Sequence, residues 1–485
     1  MECCLKNFVF FVGINLQSVP LWNPNLNFIT MKNLNLVFLL LSSSFVGFSQ
    51  DHFTGLSTSS RVGILNTYLN PAEIVNMSNK FEIDGFGMSV SVSNNKIGYS
   101  DLFSDTNLES TLFKGGEPVN MNIDAEIHAI GFAMKYKKWG FAVTTTARGK
   151  MDVLNVDPKL GDALSNSGGN SLIGNSLINS NYNQRLSGAT WGEVGFTVAR
   201  SIKNTENYKL NLGATFKLLF PGSYTNLGLD KFNGTITNTG TQLNLTNTTA
   251  NLNFAYSGGL ANNFSNISDY SKSVFGGLNG FSGDIGINFQ WKDKSILNLK
   301  KYSNKYKINA GMAIRNIGSM TFKDPNNNST NYELRIQGSQ SLNLNQFQNV
   351  DSAQQIETIL LNSGFLTKTQ SNKDFTVKLP TLFSAYADVK IISKIYISGY
   401  IQQKLNNNND NDQITVQNSF TITPRANFGF FEVFSPWTNN SISGLNGGVG
   451  FRLGGYYIGS GSIVTALIND SKQADVYTGF RWSFL

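Results

Sequence analysis

Cysteine is nearly absent. The chain has 485 residues and two cysteines, Cys3 and Cys4, both at the extreme N-terminus. A chain processed beyond them has no disulfide, no thiol nucleophile and no cysteine zinc site. Histidine is equally scarce: His52 and His128 have no second histidine three to five residues away, so no histidine metal site is expected. Charged residues make up 14% of the chain, against about 25% in an ordinary globular domain. The net charge of +7 is not gathered into a basic run, so nucleic-acid binding is not expected. No Gly-x-Ser-x-Gly and no Gly-x-x-x-x-Gly-Lys occurs, and no cofactor or catalytic site is expected. No apolar run approaches the 18 or so residues of a membrane-crossing helix.

What is present begins with an export signal in an unusual place. Residues 31–50, "MKNLNLVFLLLSSSFVGFSQ", have a short positive start, an apolar centre and a small-residue end. Met31 is read as the true start, Gln50 as the last residue removed, and residues 1–30 as an upstream over-extension of the gene. A genuine 30-residue N-terminal domain is the plain alternative. The apolar centre is too short to span a bilayer.

The body alternates apolar and polar residues. "YKLNLGATFKLL" sets Leu210, Leu212, Ala214 and Phe216 against Lys209, Asn211, Gly213, Thr215 and Lys217. "YKINAGMAI" sets Tyr306, Ile308, Ala310 and Met312 against Lys307, Asn309 and Gly311. Period two marks a strand with one apolar and one polar face. Several strands, 119–136 and 374–391 among them, outrun the usual strand of a soluble sheet. Aromatic residues gather at segment ends: Tyr136, Trp139, Phe141, Trp291, Tyr306, Tyr456 and Tyr457. Short turns such as "YKKWGF" alternate with long polar stretches at 94–118, 154–187, 221–242, 257–282, 323–331 and 339–373. Aromatic girdles with short turns at one end and long loops at the other are the pattern of outer-membrane barrels. The fold expected is all-β: a single transmembrane antiparallel β-barrel of about 14 strands over residues 79–485, with long extracellular loops. Residues 352–362 suit a short helix within a loop. A bulge is expected at His128, and "NNNNDND" at 406–412 reads, with Gln413, as a solvated surface loop.

The chain ends "TGFRWSFL". A closing strand leaves no open edge in lipid. Gly479, Trp482 and Phe484 resemble the C-terminal signal read by barrel-insertion machinery. Charges on the polar parity, Asp124, Glu126, Glu193, Lys217, Asp284, Asp388, Arg452 and Arg481, are expected to face the lumen, because a charge near the lipid midplane costs about 2–4 kcal/mol. Their mixed signs favour a network across the lumen over a sign-selective pore.

Asn70-Pro71-Ala72, just after the signal, resembles the N-terminal element of the FadL-type family of outer-membrane fatty-acid transporters. "LNLGATFKLLFPG" and "LPTLFSAYADV" are similar to strands of that superfamily. "TITPRANFGFFEVFSPW" and "GGVGFRLGGYYIGSGSIVTAL" resemble an uncharacterised outer-membrane family of gliding, type-IX-secreting bacteria. The resemblance implies a plug at residues 51–78 anchored by Asn70, Pro71 and Ala72. The plain alternative is a turn that leads into the first strand near Phe81. Two functions follow as expectations: a transporter or channel for a small ligand, apolar ones included, or a non-transport scaffold for secretion or surface attachment with a periplasmic or surface protein as partner. An enzyme is not expected. The location expected is the outer membrane.

Overall fold

The computed structural model describes residues 52–104, 107–165, 174–259, 276–293, 306–323, 327–348, 350–407 and 409–484. They fall in one unit, Phe48–Leu485. The signal at 31–50 and the extension at 1–30 lie outside the described residues.

Among the described residues, fourteen antiparallel staves form a closed ring. The first seven are Phe81–Asn94, Val119–His128 continued by Gly131–Tyr136, Trp139–Val156, Gln184–Asn204, the lower part of Tyr208–Asn238, Gly280–Lys292 and Tyr306–Phe322. The rest are Phe375–Lys378 continued by Leu382–Ile392, Ile395–Lys404, Ser419–Asn427, Phe431–Phe434 with Trp437–Asn440, Gly444–Gly447 with Val449–Leu453, Tyr456–Ser460 and Gln473–Phe484. Each pairs with its neighbours in chain order. The last strand closes on the first, from Phe81 opposite Phe484 to Ser93 opposite Gln473. Closure gives every stave two partners, the condition for a sheet in hydrocarbon.

The ring is turned inside out relative to a soluble protein. Phe132, Phe196, Phe216, Phe281, Ile285, Met312, Ile397 and Phe451 are exposed on the outer face. Glu126, Glu193, Asn211, Asp284, Asn288, Asn309 and Asp388 are buried on the inner face. At the base, where both chain ends of the ring meet, five of the six connections are two or three residues long, the sixth lying largely outside the described residues, and Tyr136, Trp139, Trp291 and Tyr456 stand outward. Two girdle assignments are corrected. Tyr457 alternates with Tyr456 and is fully buried in the lumen. Tyr306 also turns inward, because the register slips between Tyr306 and Ile308 and reverses the parity of the strand end. The second stave is interrupted at Ala129 and Ile130, just after His128.

Several stretches read as polar loops are ordered at the top. Tyr208–Asn238 rises past the ring and its upper part pairs with Leu243–Ser257. That strand pairs with Asn328–Ile336, which pairs with Leu366–Asn372. Helices Pro158–Ser165 and Ala353–Asn362 add Leu160, Ala163 and Leu360 to a core with Phe232, Ile236, Phe254, Leu334 and Ile336. Asn and Thr fill the other face of these strands, which is why the composition resembles loop.

Residues 52–78 lie inside the ring. They form two 3-10 helices, Gly63–Tyr68 and Pro71–Asn76. Leu56, Val62, Ile64, Ala72 and Ile74 are fully buried there.

Candidate functional site: the lumen and its plug

The plug is fixed to the wall by Asn70-Pro71-Ala72. Asn70 caps the second helix, its Oδ1 accepting from the Ala72 N–H at 2.9 Å, and Pro71 supplies the preset φ of the first helical position. The Asn70 Nδ2 donates to the wall carbonyls of Ile287 at 2.9 Å and Met312 at 3.3 Å. Such closeness needs wall residues without side chains. A Cβ on Gly286 would stand 2.1 Å from Asn70 Oδ1, and one on Gly213 would stand 2.5 Å from the Ala72 nitrogen. Beside this anchor, buried Glu73 accepts from Asn288 and Asn309, each at 2.8 Å, from Asn76 at 2.7 Å and from the Tyr386 hydroxyl.

From Ser419 to Phe484 the wall is bonded to the plug backbone. Buried Arg425 donates to the Gly55 carbonyl at 2.9 Å and to Thr58 Oγ1 at 2.8 Å, and its Nε lies 3.2 Å from Glu432. Glu432 also pairs with Arg452 at 3.0 Å and accepts from Ser59 at 2.8 Å. Arg481 pairs with Glu82 at 3.0 Å and donates to the Arg61 carbonyl. Glu82 in turn accepts the Ile64 N–H at 2.9 Å. Asp388 lies 3.8 Å from Arg425 and accepts from Tyr306, whose hydroxyl lies 3.0 Å from Ser60 of the plug.

From Val119 to Phe322 the charges of Asp124, Glu126, Arg148, Lys150, Glu193, Lys217 and Asp284 pair with one another, while Lys135, Lys209 and Arg315 donate to the plug carbonyls of Met77, Val75 and Tyr68. Lys150 pairs with Asp124. Arg148 pairs with Glu126 at 2.6 Å and Glu193 at 3.2 Å. Lys217 bridges Glu193 at 3.7 Å and Asp284 at 2.9 Å, and donates to Asn316 at 2.7 Å. The sign alternates from stave to stave. His52 of the plug joins this ladder at 3.0 Å from Asp124 and 3.8 Å from Glu126. Burial alone lowers the His52 pKa, but the two carboxylates outweigh it and raise the imidazole above its ordinary 6.5. Arg315 donates to the Tyr68 carbonyl at 2.7 Å and to Gln402 at 2.8 Å.

A cavity of about 100 Å³ lies between this wall and the plug. Its lining includes Phe53, Leu56, Leu65 and Tyr68 from the plug, Thr144, Thr146, Thr197 and Thr215 from the wall, and the ladder charges. Above it, residues 409–418 reach across the lumen. Gln413 is buried at 1% exposure, its carbonyl accepting from Arg185 at 2.9 Å, and the Asn411 carbonyl accepts from Tyr224 at 2.9 Å. The surface-loop reading of 406–413 is therefore corrected for Gln413, which fills the top of the lumen.

All eight expected lumen charges face inward. Asp124, Glu126, Glu193, Lys217 and Asp284 meet in the ladder, while Arg452 and Arg481 stand in the plug-gripping wall and Asp388, on Leu382–Ile392, faces Arg425 of that wall. The two groups are separate. Gly479 faces inward, where a Cβ would lie 2.2 Å from the Tyr457 hydroxyl, while Trp482 and Phe484 point outward at the base. The expectations did not include Arg148, Lys150, Arg425, Glu432, Glu82 or Glu73. Strand parity holds the signal for Arg148 and Lys150, which alternate with Ala147 and Gly149. Glu73 sits on the short 3-10 helix Pro71–Asn76, outside any alternating strand, and has no such signal. Among the described residues, no group of three or more His, Cys, Asp or Glu is placed to hold a metal ion.

These features define a transmembrane β-barrel whose lumen holds its own N-terminal segment. The chain belongs to DUF5723, a family of unknown function, whose model matches residues 71–461. No curated protein matches it. Among solved structures, the toluene transporter TodX of Pseudomonas putida is 10% identical, with 90% of this chain and 99% of that chain covered and a TM-score of 0.44. A FadL homologue of Pseudomonas aeruginosa is 8% identical over 90% and 98%, with a TM-score of 0.39. The translocator domain of the autotransporter NalP from Neisseria meningitidis is 7% identical over 84% and 89%, with a TM-score of 0.30.

Proposed function

We propose that the protein is an outer-membrane transporter of the FadL-like kind, passing a small solute through the lumen when the plug shifts. The carrying observation is the cavity between the plug and the wall from Val119 to Phe322. A plug that served only to stiffen the barrel would be packed equally on all sides. Short turns at the base point to the periplasm and the long upper segments to the cell exterior. Export by the segment at 31–50 and insertion through the signal Gly479, Trp482 and Phe484 belong to the same proposal. Planar-bilayer recording in KCl tests it. The expected result is brief openings in the intact chain and steady conductance in a variant lacking residues 52–78. Silence in both forms overturns it.

A second reading rests on the upper sheet, which has a hydrophobic core of its own and, among the described residues, an exposed edge strand, Leu366–Asn372. An unpaired edge is a template for a partner strand. In this reading the barrel is a scaffold for a surface protein in secretion or attachment. A partner that co-purifies with the intact chain and is lost on deleting 366–372, with both barrel forms silent in KCl, would favour it.

A further inference from the structure

We infer that the chamber admits small dipolar solutes, carrying a cation and an anion on one molecule, in preference to simple ions or hydrocarbons. This rests on the transport reading and narrows its solute. Among the described residues lining the chamber, four carry acidic side chains (Asp124, Glu126, Glu193, Asp284) and four are lysine or arginine (Arg148, Lys150, Lys217, Arg315), with His52 and His128 beside them. They are interleaved rather than sorted into rings of one sign.

Three classes of solute fare differently against such a wall. A hydrocarbon meets Phe53, Leu56 and Leu65 on the plug side, but on the wall side it would displace water from charged and hydroxyl groups while offering no hydrogen bond in return, so the wall disfavours it. A single ion gives up its hydration shell and meets attraction and repulsion at neighbouring positions, so the ladder does not replace what water supplied. Pores that select one ion carry one dominant sign, which this wall lacks. A dipolar solute can turn its cationic end to Glu193 or Asp284 and its anionic end to Lys217 or Arg148. The carboxylates and cations of the ladder lie 2.6–3.7 Å apart in the Arg148–Glu126, Arg148–Glu193, Lys217–Glu193 and Lys217–Asp284 pairs. That is the same scale as the separation of ammonium and carboxylate across one carbon. Thr197 and Thr215, whose hydroxyls lie 2.8 Å apart on the same wall, offer further donors and acceptors. The chamber also suits the size: about 100 Å³ takes a molecule of a few heavy atoms, not a long acyl chain.

The test is uptake of radiolabelled glycine, methanesulfonate and tetramethylammonium into proteoliposomes of the full processed chain. Glycine is expected to enter about tenfold faster than either ion, as specificity by mismatched charge implies. Two variants sharpen this in opposite directions. Lys217→Met shifts the lining by one charge toward negative and is expected to raise tetramethylammonium relative to glycine. Glu193→Gln shifts it by one charge toward positive and is expected to raise methanesulfonate. A variant that merely loosened the barrel would raise all three together. Heat-modifiable migration on gels checks that each variant is folded, and reversal potentials in a KCl gradient give a second readout of the same sign change. Equal rates for the three solutes, or variants that leave the ratios unchanged, overturn the dipolar class while leaving transport standing. No entry of any of them, in a chain that still conducts KCl without its plug, also overturns the class. Failure of the transport reading itself appears separately, as silence of both barrel forms in KCl.

Discussion

The wall from Ser419 to Phe484 and the wall from Val119 to Phe322 are both rich in buried charge, yet they use it differently. On the first, Arg425, Glu432, Arg481 and their partner Glu82 each also bond a plug residue. On the second, Arg148, Glu193 and Lys217 bond the neighbouring staves, and the plug reaches the carboxylates through His52. A buried guanidinium that bonds a backbone carbonyl holds that stretch of chain in place. A ladder satisfied within the wall leaves the facing side of the plug free to be lined by a cavity. The difference teaches that inward charge in a barrel is not one kind of feature. Its role depends on whether its last hydrogen bond goes to the wall or to the plug.

The sharpest way to break this comparison is to remove the clamp. Arg425→Ala leaves Glu432 and Asp388 buried beside a lost cation. Breaking a buried pair from one side costs about 3–5 kcal/mol. Denaturant unfolding followed by heat-modifiable migration should show this loss. The matching change in the ladder, Arg148→Ala, should cost less, because its side chain is partly exposed at the chamber. Equal losses would erase the distinction between the walls. Next in size is Gly213→Leu, which places a Cβ against the backbone of Pro71 and Ala72, where no flexible atom can yield. Overpacking of this kind costs about 1–3 kcal/mol. It should lift the anchor and raise the open probability in planar bilayers.

Much of the barrel was legible in the sequence, because a lipid-facing strand must alternate and must stay long. Leu212 and Phe216 against Asn211 and Thr215 carry that signal without any knowledge of neighbours. Parity also identified the inward charges, since Asp124 and Glu126 have no place in lipid. It could not say which would pair, because pairing depends on stave order: Lys217 meets Asp284 across 67 residues of chain that include two strands of the upper sheet. Parity failed where the register slips, as at Tyr306. The upper sheet was hidden by Asn- and Thr-rich strands such as "NLTNTTANLNF", whose polar face is solvated rather than lumenal. The plug's contacts were the least legible. Glu73 and Asn76 follow no period, and their partners Asn288 and Asn309 lie on staves more than 200 residues away.

Two smaller effects sharpen the comparison from the plug side. Asn70→Ala removes the helix cap and the donors to Ile287 and Met312, while Pro71 and Ala72 stay in the glycine-lined gap. A lost cap costs about 1 kcal/mol, so the barrel should stay closed at rest and show more frequent brief openings. If Asn70→Ala opens the channel as fully as Gly213→Leu, the anchor resides in the side chain and not in the fit of the backbone.

The smallest effect is a pH dependence confined to one side. His52 has a raised pKa in the folded chain, so its protonated form is stabilised by Asp124 and Glu126. A group raised on folding contributes fully below its unfolded pKa, near 6.5, and loses that contribution as the pH climbs through the folded value. The plug contact with the ladder should therefore be firm at pH 6 and weaker at alkaline pH. The clamp uses arginine, which keeps its proton throughout this range. Hydrogen exchange, corrected for the intrinsic rate at each pH, should show falling protection at Phe53 and Thr54 from pH 6 to pH 9, with Ser59 to Ile64 unchanged. Substituting His52→Gln should abolish the difference between the two segments. If both segments loosen together, the plug moves as one rigid piece, and the two walls are not mechanically independent.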